Sequence, residues 1–168
     1  CNTFPSQFQL LTAMNPCPCG NLNNPRISCI CDQRKINNYQ SKLSGPLMDR
    51  IDLFIDVAPI TIEQLQQTCQ TDNSQTVKNR VDQAKQKQYQ RQNKLNSNLD
   101  SQELTKNCIL TKDANQIATK AIDQLGLSAR SYYRIIKVAR TISDLESSKF
   151  IEKHHMLEAL SYRNKLPY

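Results

Sequence analysis

Four cysteines packed into fifteen residues limit this chain more than any other feature. Cys17-Pro18-Cys19 and Cys29-Ile30-Cys31 form two C-x-C pairs separated by nine residues. The segment that holds them, residues 15–32, is rich in Asn, Pro and Cys and has almost no apolar side chains with which to build a core. Such a stretch has to be held by something other than hydrophobic burial. Thiolates bind zinc in tetrahedral sets of four, and four sulfurs close the site, which makes it structural and leaves no open position for catalysis. The total of seven cysteines is odd, and no basic-then-apolar secretory signal opens the chain, so metal is favoured over a disulfide framework. The common zinc knuckle is C-x-x-C, so free thiols or a disulfide stay open as alternatives. The expectation is one zinc held by Cys17, Cys19, Cys29 and Cys31.

The rest of the chain reads as a mixed α/β and α protein. Residues 8–14 form a short apolar run stopped by Asn15-Pro16, the signature of a buried strand. Residues 33–43 place Ile36, Tyr39 and Leu43 at helical spacing before Ser44-Gly45-Pro46 breaks the pattern. From Ile51 to Val57 apolar residues alternate with Asp52, Phe54 and Asp56, a strand with one largely polar face. Thr61–Gln67 predicts a short helix. Residues 75–93 predict a basic helix with a thin seam of Val77, Val81 and Ala84 and the cations Lys78, Arg80, Lys85, Lys87 and Arg91. Residues 93–101 are Asn/Ser-rich and read as a linker. Beyond them all is helix. Ile117, Ala118, Ala121, Ile122 and Leu125 share one face, and Gly126 stands where a C-terminal glycine belongs. Ser128 can cap the next helix, which aligns Ile135, Val138, Ala139, Ile142 and Leu145; Ile151, Leu157 and Leu160 point inward from the last.

Composition narrows the function. A hydrophobic share of 38% with 22% charged residues excludes wholesale disorder, and three glycines in 168 residues argue against a Gly-rich all-β fold. No apolar run approaches the ~20 residues of a membrane span, so a cytoplasmic protein without a membrane partner is expected. The net charge of +7 permits a polyanion such as nucleic acid. The basic helix could serve such a partner, although charge runs are more often solvated faces. The chain begins with Cys1 rather than Met, and a piece of a longer protein is expected.

Three stretches carry a family resemblance. FPSQFQLLTAMNPCPCG (4–20), KLSGPLMDRIDL (42–53) and LSARSYYRIIKVARTISDLE (127–146) resemble the magnesium-chelatase-like AAA+ ATPases of the competence ComM (YifB) group, and HMLEALSYR (155–163) fits as well. The resemblance implies three parts: residues 1–58 as the C-terminal part of an AAA+ core with the cysteine insertion at 15–32, a connecting segment at 59–101 with the basic helix, and a helical lid at 102–168. It implies ATP and magnesium as cofactors, a homohexameric ring, and movement of DNA, as in branch migration during natural transformation. Two rival functions stand beside it: a chelatase-type motor that metallates a porphyrin, and a zinc-stabilised binding module with no ATPase role.

The same resemblance assigns site residues. Asn15, at the tip of the first strand, matches sensor one, whose amide can both donate and accept around an attacking water; from the residues alone, Asn-Pro is also an ordinary turn start. Arg50 matches an arginine finger that stabilises the transferring phosphoryl group of a neighbouring subunit; the plain alternative is a surface salt bridge to Asp49 or Asp52. Arg130 matches the sensor-two arginine of the lid, with Arg134 and Arg140 following on the same helix and its action in cis or in trans left open. The glycines are Gly20, Gly45 and Gly126, and none forms the Gly-x-x-x-x-Gly-Lys-Ser/Thr of a P-loop. The chain alone is therefore expected to be inactive towards ATP. His154 and His155 are adjacent without a metal-ligand spacing; one is expected to pack and the other to face solvent. Cys69 and Cys108 read as ordinary buried or half-buried cysteines.

Overall fold

The computed structural model describes residues 8–60 and 72–163. They fall into two compact units that divide between Ser44 and Gly45. The first unit holds the cysteine loop and one helix, α1 (Gln33–Gln40). Asp32 caps α1 by accepting from the Lys35 N–H at 2.8 Å, and Ile36 is its buried residue. Gln40 donates to the Pro16 carbonyl at 3.1 Å and so ties the helix to the start of the loop.

The second unit is helical: α2 (Gly45–Met48), α3 (Ser74–Gln92), a single 3₁₀ turn (Asn96–Asn98), α4 (Ser101–Asn107), α5 (Lys112–Leu125), α6 (Ala129–Leu145) and α7 (Lys153–Ser161). Local chemistry sets these boundaries. Asn73, Asp100, Thr111 and Ser128 each accept a backbone N–H of the first turn that follows, satisfying donors the helix itself cannot. Asp100 and Glu103 close a full capping box on α4. Gly126 ends α5 at φ 58°, a conformation that costs glycine nothing. The core forms where α6 lays Ile135, Ile136, Ala139 and Ile142 against α7, which packs in turn on α5, with Ala118, Ala121 and Ala159 letting the backbones approach. Leu110 and Ile151 make an isolated parallel bridge beside this core.

Several sequence expectations need correction. Residues 8–14 and 51–57 carry no helix, but no strand ladder forms on them among the described residues. A strand completes its hydrogen bonds only against another strand, and here Leu11 and Val57 stay 91% and 88% exposed. The predicted helix at Thr61–Gln67 and Cys69 lie outside the described residues. The seam of α3 is shifted: Val77 and Val81 are exposed, and burial begins at Ala84 and Gln88. Residues 93–101 are packed rather than a free linker, with Asn96 and Leu99 buried. Leu125, Leu145 and Leu157 lie at the rim of the core instead of inside it, and α7 turns Met156 and Ala159 inward. Cys108 is buried as expected. No helix among the described residues is long and apolar enough to cross a membrane.

Candidate functional site

In the first unit the loop folds back so that four sulfurs converge. Gly20, at φ 80°, donates its N–H to the Cys17 carbonyl at 3.0 Å, a turn that brings Cys19 back beside Cys17. The Sγ atoms of Cys17, Cys19 and Cys29 lie 3.4 to 3.7 Å from one another, and that of Cys31 completes a group within 4.8 Å. These separations are far beyond the ~2.05 Å of a disulfide. They approach the about 3.8 Å edge of a regular tetrahedron whose centre is ~2.3 Å from each sulfur, the zinc–thiolate distance. The donor set therefore fits zinc. Backbone N–H groups of Asn21 and then Ile30 pull the Cys19 thiol down to about 6, so this sulfur is ready to ionise. Cys29 receives a favourable N–H from Cys31, yet desolvation and the neighbouring thiols push it up to about 12. A cation at the centre would remove that opposition. Asn15 is exposed at the mouth of this loop, its amide nitrogen 3.7 Å from where a Cβ on Gly20 would stand.

Arg50 and Arg130 belong to the second unit. Arg50 is exposed on the turn after α2 and donates through Nη1 to the Pro46 carbonyl at 2.6 Å. It does not pair with Asp52, which is taken by Arg134 at 2.6 Å. Arg130 is exposed in the first turn of α6 and makes no ion pair among the described residues. Arg134, one turn on, spends its guanidinium on Asp52 and on the carbonyls of Asp49 and Arg50. Arg140 is buried against Asp144. Of the three arginines on α6, Arg130 is thus the one whose side chain is left to solvent.

Sequence reasoning missed the buried polar centre of this unit. Asp144, 1% exposed, accepts from Arg91 at 2.6 and 2.9 Å, from Arg140 at 2.7 and 3.1 Å, and from Asn96 at 2.9 Å. Burial alone would raise its carboxyl; the Arg91, Arg140 and Asn96 donors outweigh burial and hold it below the usual carboxylate range. Lys87 adds bonds to the Asp144 carbonyl at 3.1 Å and to Ser147. So Lys87 and Arg91 of the basic helix face the core, not a partner. The Arg140-x-x-x-Asp144 spacing was the available signal. A second cluster joins Glu146 to His154 and His155, whose Nε2 atoms lie 2.8 and 3.1 Å from its carboxylate. His155 is fully buried and accepts the Glu152 N–H on Nδ1 at 2.9 Å, which puts its proton on Nε2, facing Glu146. A protonated Nε2 is no metal ligand, and the pair acts as a helix cap. His154 is exposed, as expected of one member of the pair, and Glu146 raises its pKa.

Comparison with known proteins divides the chain elsewhere, between residues 65 and 71 rather than between Ser44 and Gly45. Residues 71–163 match the family magnesium chelatase, subunit ChlI C-terminal, and residues 1–65 match magnesium chelatase, subunit ChlI. The chain is 40% identical over 163 residues to the uncharacterized protein YifB of Salmonella typhimurium, covering 96% of this chain and 32% of that protein. It is 38% identical over 161 residues to the competence protein ComM of Haemophilus influenzae, covering 95% and 31%. It is 30% identical over 164 residues to the uncharacterized protein Rv2897c of Mycobacterium tuberculosis, covering 95% and 32%. The chain thus spans a little under a third of the length of these relatives.

Proposed function

The chain belongs to the magnesium chelatase ChlI family of AAA+-type ATPases, and on that premise we propose that it is the C-terminal part of a DNA-acting ring ATPase of the ComM group. In this reading residues 1–58 complete the AAA+ core, 15–32 are its cysteine insertion, 59–101 connect, and 102–168 form the lid. A P-loop and a magnesium-holding acidic residue come from elsewhere in the same polypeptide, and six copies form a cytoplasmic ring around or beside DNA. Asn15 orients the attacking water as sensor one. Arg50 reaches the neighbouring subunit's nucleotide, where its charge stabilises the phosphoryl group in transit. Arg130 reports the nucleotide to the lid. Cys17, Cys19, Cys29 and Cys31 hold a structural zinc that keeps the insertion folded and takes no part in the chemistry.

The observation that carries this reading is the condition of Arg50 and Arg130. Both lie within the matched regions, both are exposed, and neither is committed to a carboxylate among the described residues. A cation in the first turn of a helix opposes the helix dipole by roughly 0.3–1 kcal/mol, and a nearby phosphate offsets that cost. A porphyrin-metallating chelatase has the family description behind it; the cysteine cluster and the competence relative favour DNA. ATP turnover by the full-length protein, measured with and without forked DNA or a porphyrin, separates the two. Stimulation by DNA and abolished turnover with retained ATP binding in Arg50→Ala are expected. Stimulation by the porphyrin alone would replace the DNA reading, and normal turnover in Arg50→Ala would remove the finger.

A further inference from the structure

We propose that Arg134 is a positioning residue that clamps the Arg50 turn onto the lid helix, a role that rests on reading Arg50 as the arginine finger. The segment that bears Arg50 follows a helix, α2, of only four residues, closed by the Asp49, Arg50 and Ile51 N–H groups on the Gly45, Leu47 and Met48 carbonyls. Arg134 takes hold of the carbonyls that come next. Its Nη1 donates to the Asp49 carbonyl, its Nη2 to the Arg50 carbonyl, and its Nε to the Asp52 carboxylate at 2.6 Å. One guanidinium therefore touches the backbone of the finger residue itself and of the residue before it, as well as a carboxylate two residues beyond it.

The burial pattern marks Arg134 as the anchored partner: its side chain is 18% exposed, that of Asp52 63%. A second tie lies just downstream, where the Phe54 N–H donates to the Tyr162 carbonyl at the end of α7 at 2.8 Å. Arg50's own guanidinium turns back to Pro46 and makes no such tie. The place from which Arg50 reaches outward is thus set through its backbone, by α6. Arg130 lies one turn earlier on the same side of that helix. A tilt of α6 that follows the nucleotide at Arg130 moves the backbone of Arg50 through Arg134. Lysine cannot replace it, because three acceptors taken by Nε, Nη1 and Nη2 call for a fork and an ammonium is a point donor.

The test uses the full-length protein and the variants Arg134→Ala, Arg134→Lys, Arg50→Ala and the double Arg50→Ala/Arg134→Ala. Displacing a positioned group costs about 10²-fold, so kcat of Arg134→Ala should fall by roughly 10–100-fold with the KM for ATP unchanged. Arg134→Lys should not rescue it. The double variant should be no slower than Arg50→Ala, because the two residues act as one unit. Amide exchange at residues 49–52 should accelerate in Arg134→Ala. Wild-type kcat in Arg134→Ala, or a loss that multiplies with that of Arg50→Ala, would overturn the proposal. Normal turnover in Arg50→Ala would instead remove the finger reading, and amide exchange would still decide whether Arg134 orders the turn. If Arg134→Ala melts the lid, Asp52→Asn on its exposed side chain takes its place. Faster exchange at 49–52 with lower kcat supports the clamp, and unchanged values overturn it.

Discussion

The two units solve the problem of staying folded in opposite ways. Among the described residues, the first buries only Cys17 and Ile36, whereas the second buries a continuous cluster drawn from α4, α5, α6 and α7. Two buried apolar side chains supply only ~3–6 kcal/mol against the ordering of some three dozen residues, so the stability of the first unit is expected to come from the proposed zinc on its sulfur cluster. In the second unit packing does that work, and its exposed arginines are free for other tasks. Site and scaffold coincide in one region and are separable in the other.

Removing the proposed zinc should have the largest effect. Structural zinc binding in comparable cysteine sites is worth about 10–16 kcal/mol and is inseparable from folding. A reduced preparation should contain about one zinc per chain. A chelator should unfold residues 15–44 while the helical unit keeps its circular dichroism and its amide signals. A zinc content near zero in a folded sample would end the contrast between the units.

Next comes the buried carboxylate. Asp144→Ala leaves Arg91 and Arg140 without their shared anion, a loss of about 3–5 kcal/mol for a broken buried pair. Urea unfolding of the helical unit measures it, and a cost under 1 kcal/mol would mean that apolar packing alone holds the unit. The same group sets an acid limit. Its folded pKa lies below its unfolded value near 3.8, so its contribution is fully present above that pH. It should be lost as pH falls further, through the folded value. Acid unfolding followed with and without Asp144→Asn should show the wild-type dependence only where the carboxylate is present. The smallest effect is expected of Arg130→Ala, within about ±0.5 kcal/mol of wild type, as for a surface change. A larger loss in the same urea titration would make Arg130 part of the scaffold.

The helical unit was legible because its signals are local. Ser128 and Gly126 fix the ends of two helices through one side chain and one backbone conformation, and the spacing of Ile135, Ala139 and Ile142 gives the inward stripe. The cysteine site was legible for a related reason: four sulfurs so close in sequence have little choice of partner. The polar centre was not. Asn96 sits in a run whose composition reads as a linker, and its burial depends on Thr141 and Asp144, more than forty residues away. Lys87 and Arg91 belong to a charge run, and a run does not say which of its members turn inward. The two expected strands fail on similar grounds, since alternation marks a face but not the neighbour that would complete a ladder.

The attachment of α3 has a mechanical consequence. Its C-terminal half is bolted to α6 through Lys87 and Arg91 and accepts the Asn96 N–H on Gln88, whereas residues 74–83 are all exposed. Those ten residues extend about 15 Å beyond the anchored part at 1.5 Å per residue. A 10° rotation of the anchor would swing their tip by roughly 2.6 Å over that length. A cantilever of this kind turns a small change of angle at α6 into a stroke along the exposed half of α3, which carries Lys78 and Arg80.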